Sequence, residues 1–148
     1  MFRETRATAQ ALFGDPSVYL ERYLPSAAHV EAQILCDAHG TALFLGERDC
    51  SLQRRKQKLI EETPSPRLSE DQREQLGGYP VAAARAGGYL GAGTVEFLAD
   101  DAGRLTFMEI NGRIQVEHPA TEMATGVDIV AEQIRIAAGE RLSWAQRD

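Results

Sequence analysis

Between Glu109 and Glu117 a functional side chain stands at every second position: Glu109, Asn111, Arg113, Gln115 and Glu117. In extended backbone, alternate side chains share a face. The run would therefore present carboxylates, amides and a guanidinium on one surface, with Ile110, Ile114 and Val116 turned to a core. It cannot stay straight. At roughly 3.3 Å per residue the run covers about 26 Å, too far for one small ligand. Gly112 is the expected bend, and Pro119 ends any ladder pairing.

The chain has 148 residues, enough for one domain with a real core. Its 43% hydrophobic and 26% charged residues are those of a globular protein. A net charge of −6 argues against general nucleic-acid binding, which draws on excess Lys and Arg. No apolar run approaches the ~20 residues of a membrane span, and the N-terminus lacks a signal peptide's apolar centre. Cys36 and Cys50 fall outside metal-binding spacings and read as reduced, packed thiols. The expectation is a cytoplasmic domain without membrane or nucleic-acid partners.

Along the chain, residues 4–13 read as a short helix broken by Gly14-Asp15-Pro16, and residues 18–24 as a strand. Residues 28–37 alternate, with Val30, Ala32, Ile34 and Cys36 on one face and His29, Glu31, Gln33 and Asp37 largely on the other, as in a half-buried strand. A turn at Ala38-His39-Gly40 leads to a second arm over 41–47, then a polar segment over 48–66. Ser69 with Gln72 is a capping-box signature for a helix running to about Ala86, with a kink or break expected at Pro80. Strands follow over 94–99 and 104–110, joined by a turn at Asp101-Ala102-Gly103. An irregular stretch after Pro119 precedes a helix over 128–138, capped by Asp128 and ended by Gly139. The order suggests an α+β domain with a largely antiparallel sheet and flanking helices.

Three groups carry candidate chemistry. If the turn between the last two strands holds an even number of residues, Glu96 and Glu109 share a face and can sit directly opposite. Like charges so placed call for a cation, and Asn111 adds an oxygen on the same face. Two carboxylates and an amide suit Mg²⁺ or Mn²⁺; the alternative is a solvated sheet face. Arg113, Gln115 and Glu117 can hold a planar oxyanion, with Glu117 as general base, or Arg113 and Glu117 can form a surface ion pair. The basic run Gln53-Arg54-Arg55-Lys56-Gln57-Lys58 is a phosphate-facing loop, a nucleic-acid patch, against which Glu61-Glu62 argues, or a solvated face.

Taken together these blocks resemble the ATP-grasp domain of biotin carboxylases. The resemblance rests on Glu21-Arg22-Tyr23-Leu24, on His29 to Gln33, on Glu47 to Lys58, on Gly91 to Phe97 and on Phe107 to Gly126. It implies an ATP-grasp fragment whose preceding domain, glycine-rich lid and C-terminal subdomain lie outside residues 1–148. It further implies adenine contacts from Glu21, Arg22, Tyr23 and Leu24, and nucleotide contacts from His29, Gln53 and Lys56. Glu96, Glu109 and Asn111 match metal ligands that join Mg²⁺ or Mn²⁺ to the ATP phosphates. Lys58, Arg113, Gln115 and the backbone of Val116 match a bicarbonate site, and Glu117 matches the base that deprotonates bicarbonate. The implied reaction is ATP-dependent carboxylation of biotin on a carrier protein through carboxyphosphate. Lys56 stands where the family commonly has histidine, Gly112 where it has threonine, and Gly78-Tyr79-Pro80 is unusual for the helix. The alternatives are a non-catalytic ATP- or metal-binding remnant, or one half of a split carboxylase with a partner chain.

Overall fold

The computed structural model describes residues 1–146. In chain order the elements are α1 (Phe2–Phe13), β1 (Ala27–Cys36), β2 (Ala42–Arg54), β3 (Gln57–Glu62), α2 (Glu70–Gly87), β4 (Gly91–Asp100), β5 (Leu105–Asn111), α3 (His118–Thr125) and α4 (Ile129–Ala137). The strands form one sheet in the order β3-β2-β1-β4-β5, and every pairing is antiparallel. The expected α+β architecture with an antiparallel sheet is what forms.

β1 is the central strand, and its alternation decides the two faces. Val30, Ala32, Ile34 and Cys36 join Leu76 and Ala84 of α2 and Val95, Phe97 and Ala99 of β4 in one core. On the other face Leu35 packs with Leu43, Val127, Ile129 and Ile136 beside α4. Glu31 and Gln33 on that second face are fully buried. β1 is therefore buried on both sides rather than half-buried, because α3, α4 and the segment 112–117 cover the polar face as well.

Two irregularities set the register. Ile34 pairs with Phe44, but Ala32 pairs with Glu47, so β2 carries one extra residue at Leu45-Gly46. Gly46 sits at φ 92, where a side chain is strained. Past this bulge the faces exchange. Phe44 packs on the α2 side, and so does Glu47, which accepts from Arg73 of α2 at 2.7 Å. Arg48 is thereby turned to the opposite face, directly across from Glu31. β5 repeats the device. Phe97 pairs with Phe107 but Glu96 with Glu109, leaving Met108 as the extra residue. The Glu96–Glu109 pairing holds, but the bulge produces it rather than the length of the hairpin turn.

The capping box at Ser69 and Gln72 forms as expected, and Gly88 closes α2 in the left-handed conformation. α2 runs unbroken through Pro80. Pro80 lies in the core, and a Cβ at neighbouring Gly77 would run into the Phe44 ring, so close packing offsets the lost helix bond. α4 starts at the expected Asp128 cap, whose side chain accepts from the Ala131 amide at 2.8 Å. Cys36 and Cys50 are free and buried.

Three expectations fail. Residues 18–24 form no strand; Tyr19, Leu20 and Tyr23 are exposed and no ladder reaches them. The polar segment after Glu47 is a continuation of β2 and the hairpin to β3, turned by Arg55 and Lys56 at φ 54 and 64. This is a two-residue turn of the kind usually made by Asn-Gly, hence its invisibility in a basic run. The stretch after Pro119 is helical: Pro119 sits in the first turn of α3, and Gly126 caps its end.

The bulge in β2 is testable. Gly46→Ala is expected to cost about 1–2 kcal/mol through left-handed strain. Deleting Gly46 should abolish cooperative urea unfolding, because it swaps Glu47 and Arg48 between faces. A deletion variant unfolding like the parent would contradict the register argument.

Candidate functional site

One residue from each of four adjacent strands forms a row across the second face: Arg48 pairs with Glu31, Glu31 with Glu96, and Glu96 with Glu109. Lys58 reaches into this row from β3. Its ammonium donates to Glu31 Oε2 at 2.5 Å, to Glu117 Oε1 at 2.5 Å and to Glu96 Oε1 at 3.2 Å. Glu31 gives its other oxygen to Arg48 Nε at 2.6 Å.

Glu96 is the most heavily bonded carboxylate. Besides Lys58, its Oε1 accepts from Gln115 Nε2 at 2.8 Å and from Asn111 Nδ2 at 3.0 Å. Oε2 accepts from His29 Nε2 at 2.6 Å. Gln53 Nε2 donates to His29 Nδ1 at 2.8 Å and to the Cys50 carbonyl at 2.8 Å. That leaves the imidazole proton on Nε2, facing Glu96. Burial alone would raise the Glu96 pKa, but the bonds from His29 and Gln115 and the Lys58 charge bring it down to about 2. Burial likewise opposes charge on Lys58, and the bonds to Glu117 and Glu31 outweigh it, holding its pKa above that of ordinary lysine. Glu117 resolves the same way: burial pushes up, Lys58 pulls further down. These groups are charged at neutral pH.

Glu96 and Glu109 of this row, with Lys58, line a cavity of about 690 Å³. His29, Gln53, Lys56, Lys58, Glu96, Glu109, Asn111, Arg113, Gln115, Val116 and Glu117 all line it, so the two halves of the opening alternation meet in one space. The strand ends at Asn111, and the chain turns from Gly112 onward. Ile114 packs inward against the second core, whereas Val116 and Ile110 are exposed rather than core-facing. Arg113 donates to the Ile114 carbonyl at 3.2 Å and to Asn111 Oδ1 at 3.4 Å, while Glu117 pairs with Lys58. The surface ion pair between Arg113 and Glu117 is thus not the arrangement adopted. Of the described residues, Glu21, Arg22, Tyr23 and Leu24 stay outside the cavity wall.

The donor set at Glu96, Glu109 and Asn111 fits a hard divalent cation. The two carboxylates are ladder partners, and the Asn111 amide bridges them, at 3.0 Å to Glu96 and 3.4 Å to Glu109. A cation there would replace one amide donor by a full charge, with the amide oxygen turned inward. His29, Glu31 and Glu96 also converge within 4.8 Å. That second group is less suited to metal, because Lys58 already occupies it and Gln53 makes His29 Nε2 a donor.

Sequence reading missed Arg48, Thr94 and Thr121 and placed Glu31 and Gln33 only on a polar face. All five are buried, with Arg48 donating to each of the others. The signal available was the bare alternation of His29, Glu31 and Gln33, which cannot distinguish a solvated face from a second interior.

The sequence model of the family described as "Carbamoyl-phosphate synthase L chain, ATP binding domain" matches residues 1–145. The chain is 55% identical over 146 residues to a biotin carboxylase of Nostoc sp., covering 99% of this chain and 33% of that protein. It is 55% identical over 145 residues to biotin carboxylase 1 of Bacillus subtilis, covering 97% of this chain and 32% of that one. The chain therefore spans about a third of the length of these relatives. Among solved structures, the biotin carboxylase domain of Hydrogenobacter thermophilus 2-oxoglutarate carboxylase, in complex with MgADP, ADP and bicarbonate, superimposes with a TM-score of 0.93 at 53% identity. That match covers 99% of this chain and 32% of the other. The ATP-grasp expectation and the resemblance to biotin carboxylases both hold. Among the described residues no helix is long and apolar enough to cross a membrane.

The charge network has a pH signature of definite sign. Glu96 falls from an ordinary 4.5 to about 2 on folding, so its stabilising contribution is full above pH 4.5 and lost as pH drops through about 2. Urea unfolding measured from pH 5 to pH 2 should show stability falling across that window. The fall should be shallower in Glu96→Gln; equal slopes in the two proteins would contradict the assignment.

Proposed function

The chain belongs to the carbamoyl-phosphate synthase L chain ATP-binding domain family, and from this we propose that it supplies the nucleotide, metal and bicarbonate contacts of a biotin carboxylase. The observation that carries the proposal is that one cavity is lined both by the carboxylate–amide set Glu96, Glu109 and Asn111 and by Lys58, Arg113, Gln115 and Glu117. The relative crystallised with MgADP and bicarbonate supports the same division.

In this reading His29, Gln53 and Lys56 contact the nucleotide along the β2–β3 side of the cavity. Glu96, Glu109 and Asn111 hold Mg²⁺ or Mn²⁺, which when bound neutralises the ATP phosphates. Assignment of Glu21, Arg22, Tyr23 and Leu24 to the adenine edge rests on the resemblance alone. Lys58, Arg113, Gln115 and the Val116 backbone receive bicarbonate. Glu117, kept ionised by Lys58, takes the bicarbonate proton as the oxygen attacks the γ-phosphate. Phosphoryl transfer needs positioning and charge neutralisation more than covalent help, and this residue set provides both. With ADP as the leaving group, carboxyphosphate forms and breaks down to phosphate and CO₂, and the ureido nitrogen of biotin on a carrier protein captures the CO₂ as its proton passes to the phosphate.

The whole reaction is proposed for the chain in company with the remaining regions that its relatives carry, on the same polypeptide or on a partner chain. A cytoplasmic location goes with this reading. In calorimetric titration with Mg-ADP, Glu109→Gln should bind at least tenfold more weakly, a loss of about 1.4 kcal/mol. Equal affinities would sink the metal assignment. Bicarbonate-dependent ATP hydrolysis should be at background for residues 1–148 alone and rise when the remaining carboxylase regions are added. Full turnover without them would favour a different division of labour.

A further inference from the structure

We infer that Arg48 is a positioning residue for the proposed bicarbonate site: its buried guanidinium dictates which way the Gln115 amide points. The inference rests on the proposed role of Gln115; the geometry beneath it does not. Arg48 lies under the cavity floor and is 0% exposed. A guanidinium carries five N–H donors and no acceptor. Each of the five has its own partner here. Nε donates to Glu31 Oε1 at 2.6 Å, and Nη1 donates to Gln33 Oε1 at 2.8 Å and Thr121 Oγ1 at 2.7 Å. Nη2 donates to Gln115 Oε1 at 3.3 Å and Thr94 Oγ1 at 3.5 Å.

Because a guanidinium cannot accept, the side of Gln115 turned toward it must be the oxygen. The amide nitrogen then faces the other way, toward Glu96 Oε1 at 2.8 Å. Reversing the amide would set N–H against N–H and oxygen against carboxylate at a side chain only 5% exposed. Both bonds would be lost, and in low dielectric that orientation is excluded. Gln33 is oriented by the same rule, its oxygen toward Arg48 and its nitrogen toward the Gly93 carbonyl at 2.9 Å.

The contacts are also placed to hold the segment after β5. Gln115 lies in its middle, and Thr121 anchors α3, which begins one residue after Glu117. Arg48 therefore sets both the donor pattern at Gln115 and the seat of Glu117, without touching the cavity contents. Lysine keeps the charge but not the fork, so it separates the two.

Side-chain amide NMR tests this. In the ¹⁵N-labelled chain, the Gln115 Nε2 protons should exchange with solvent at least tenfold more slowly than those of exposed Gln57. In Arg48→Lys that protection should fall at least tenfold while β1 backbone amides keep theirs. Unchanged Gln115 protection in folded Arg48→Lys overturns the inference. Should the variant not fold, an unprotected Gln115 amide in the parent chain overturns it equally, and a protected one supports it. Line broadening of ¹³C-bicarbonate by the parent chain, weakened at least tenfold in Arg48→Lys, is the functional arm. No broadening by the parent would count against the bicarbonate reading, and the amide signature would still decide the role of Arg48.

Discussion

Glu31, Glu96 and Glu109 stand side by side on three neighbouring strands, and Glu117 comes in from the loop. Two unit charges roughly 5 Å apart repel by about 3 kcal/mol at an effective dielectric constant near 20. Several such terms would consume much of the ~5–15 kcal/mol that holds a domain together. Arg48 and Lys58 remove that penalty between them, by a division of labour that follows their chemistry. Arg48, a planar fork of donors, is sealed below the sheet surface and organises five fixed acceptors. Lys58, a point charge on a flexible stem, is one-fifth exposed and gathers three carboxylates around one nitrogen. The buried cation defines geometry; the half-buried one faces the cavity.

This arrangement depends on two single-residue bulges more than on any propensity. An unbulged β2 would bring Glu47 to the row and bury Arg48 against α2. An unbulged β5 would turn Glu109 toward Phe97 and the apolar core. Both bulges occur where a strand passes from the packed part of the sheet into the site. Leu45 still contacts the second core, and three residues later Arg48 begins the polar network. A bulge exchanges faces at the cost of one unpaired residue. It lets one strand serve a helix-covered core and a charged floor in succession.

Much of the fold was legible in the sequence because its signals are local. The Ser69–Gln72 capping box, the Asp128 cap and the alternation of β1 all act within a few residues of themselves. What was not legible depended on partners distant in sequence. The β2–β3 turn uses Arg55 and Lys56 in a conformation usually left to Asn and Gly, so nothing in the local pattern marks it. α3 was marked, by Pro119 and Gly126, but its eight residues are too few to show a helical period, so the stretch reads as irregular. For the site, Glu96, Glu109 and the 113–117 block were visible as residue types at spacings. Arg48 was not, since its role exists only once Glu31, Gln33, Thr94, Gln115 and Thr121 converge on it from four separate segments.

The same contrast orders the cavity itself. Glu96, Gln115 and Glu117 are buried and pinned by bonds from neighbouring side chains, whereas Glu109, Arg113 and Lys56 stand exposed at its rim. In the proposed reaction, pinned groups suit the step that tolerates least error, in which an oxyanion would meet a phosphoryl group in line and lose its proton to Glu117. Rim groups suit ligands that bring their own charge and shape. Asn111 sits between the two sets, its amide donating to Glu96 and Glu109 while its oxygen accepts from Arg113. Rotation of that one amide would break its bond from Arg113 Nη2 and leave the Nη1 bond to the Ile114 carbonyl in place.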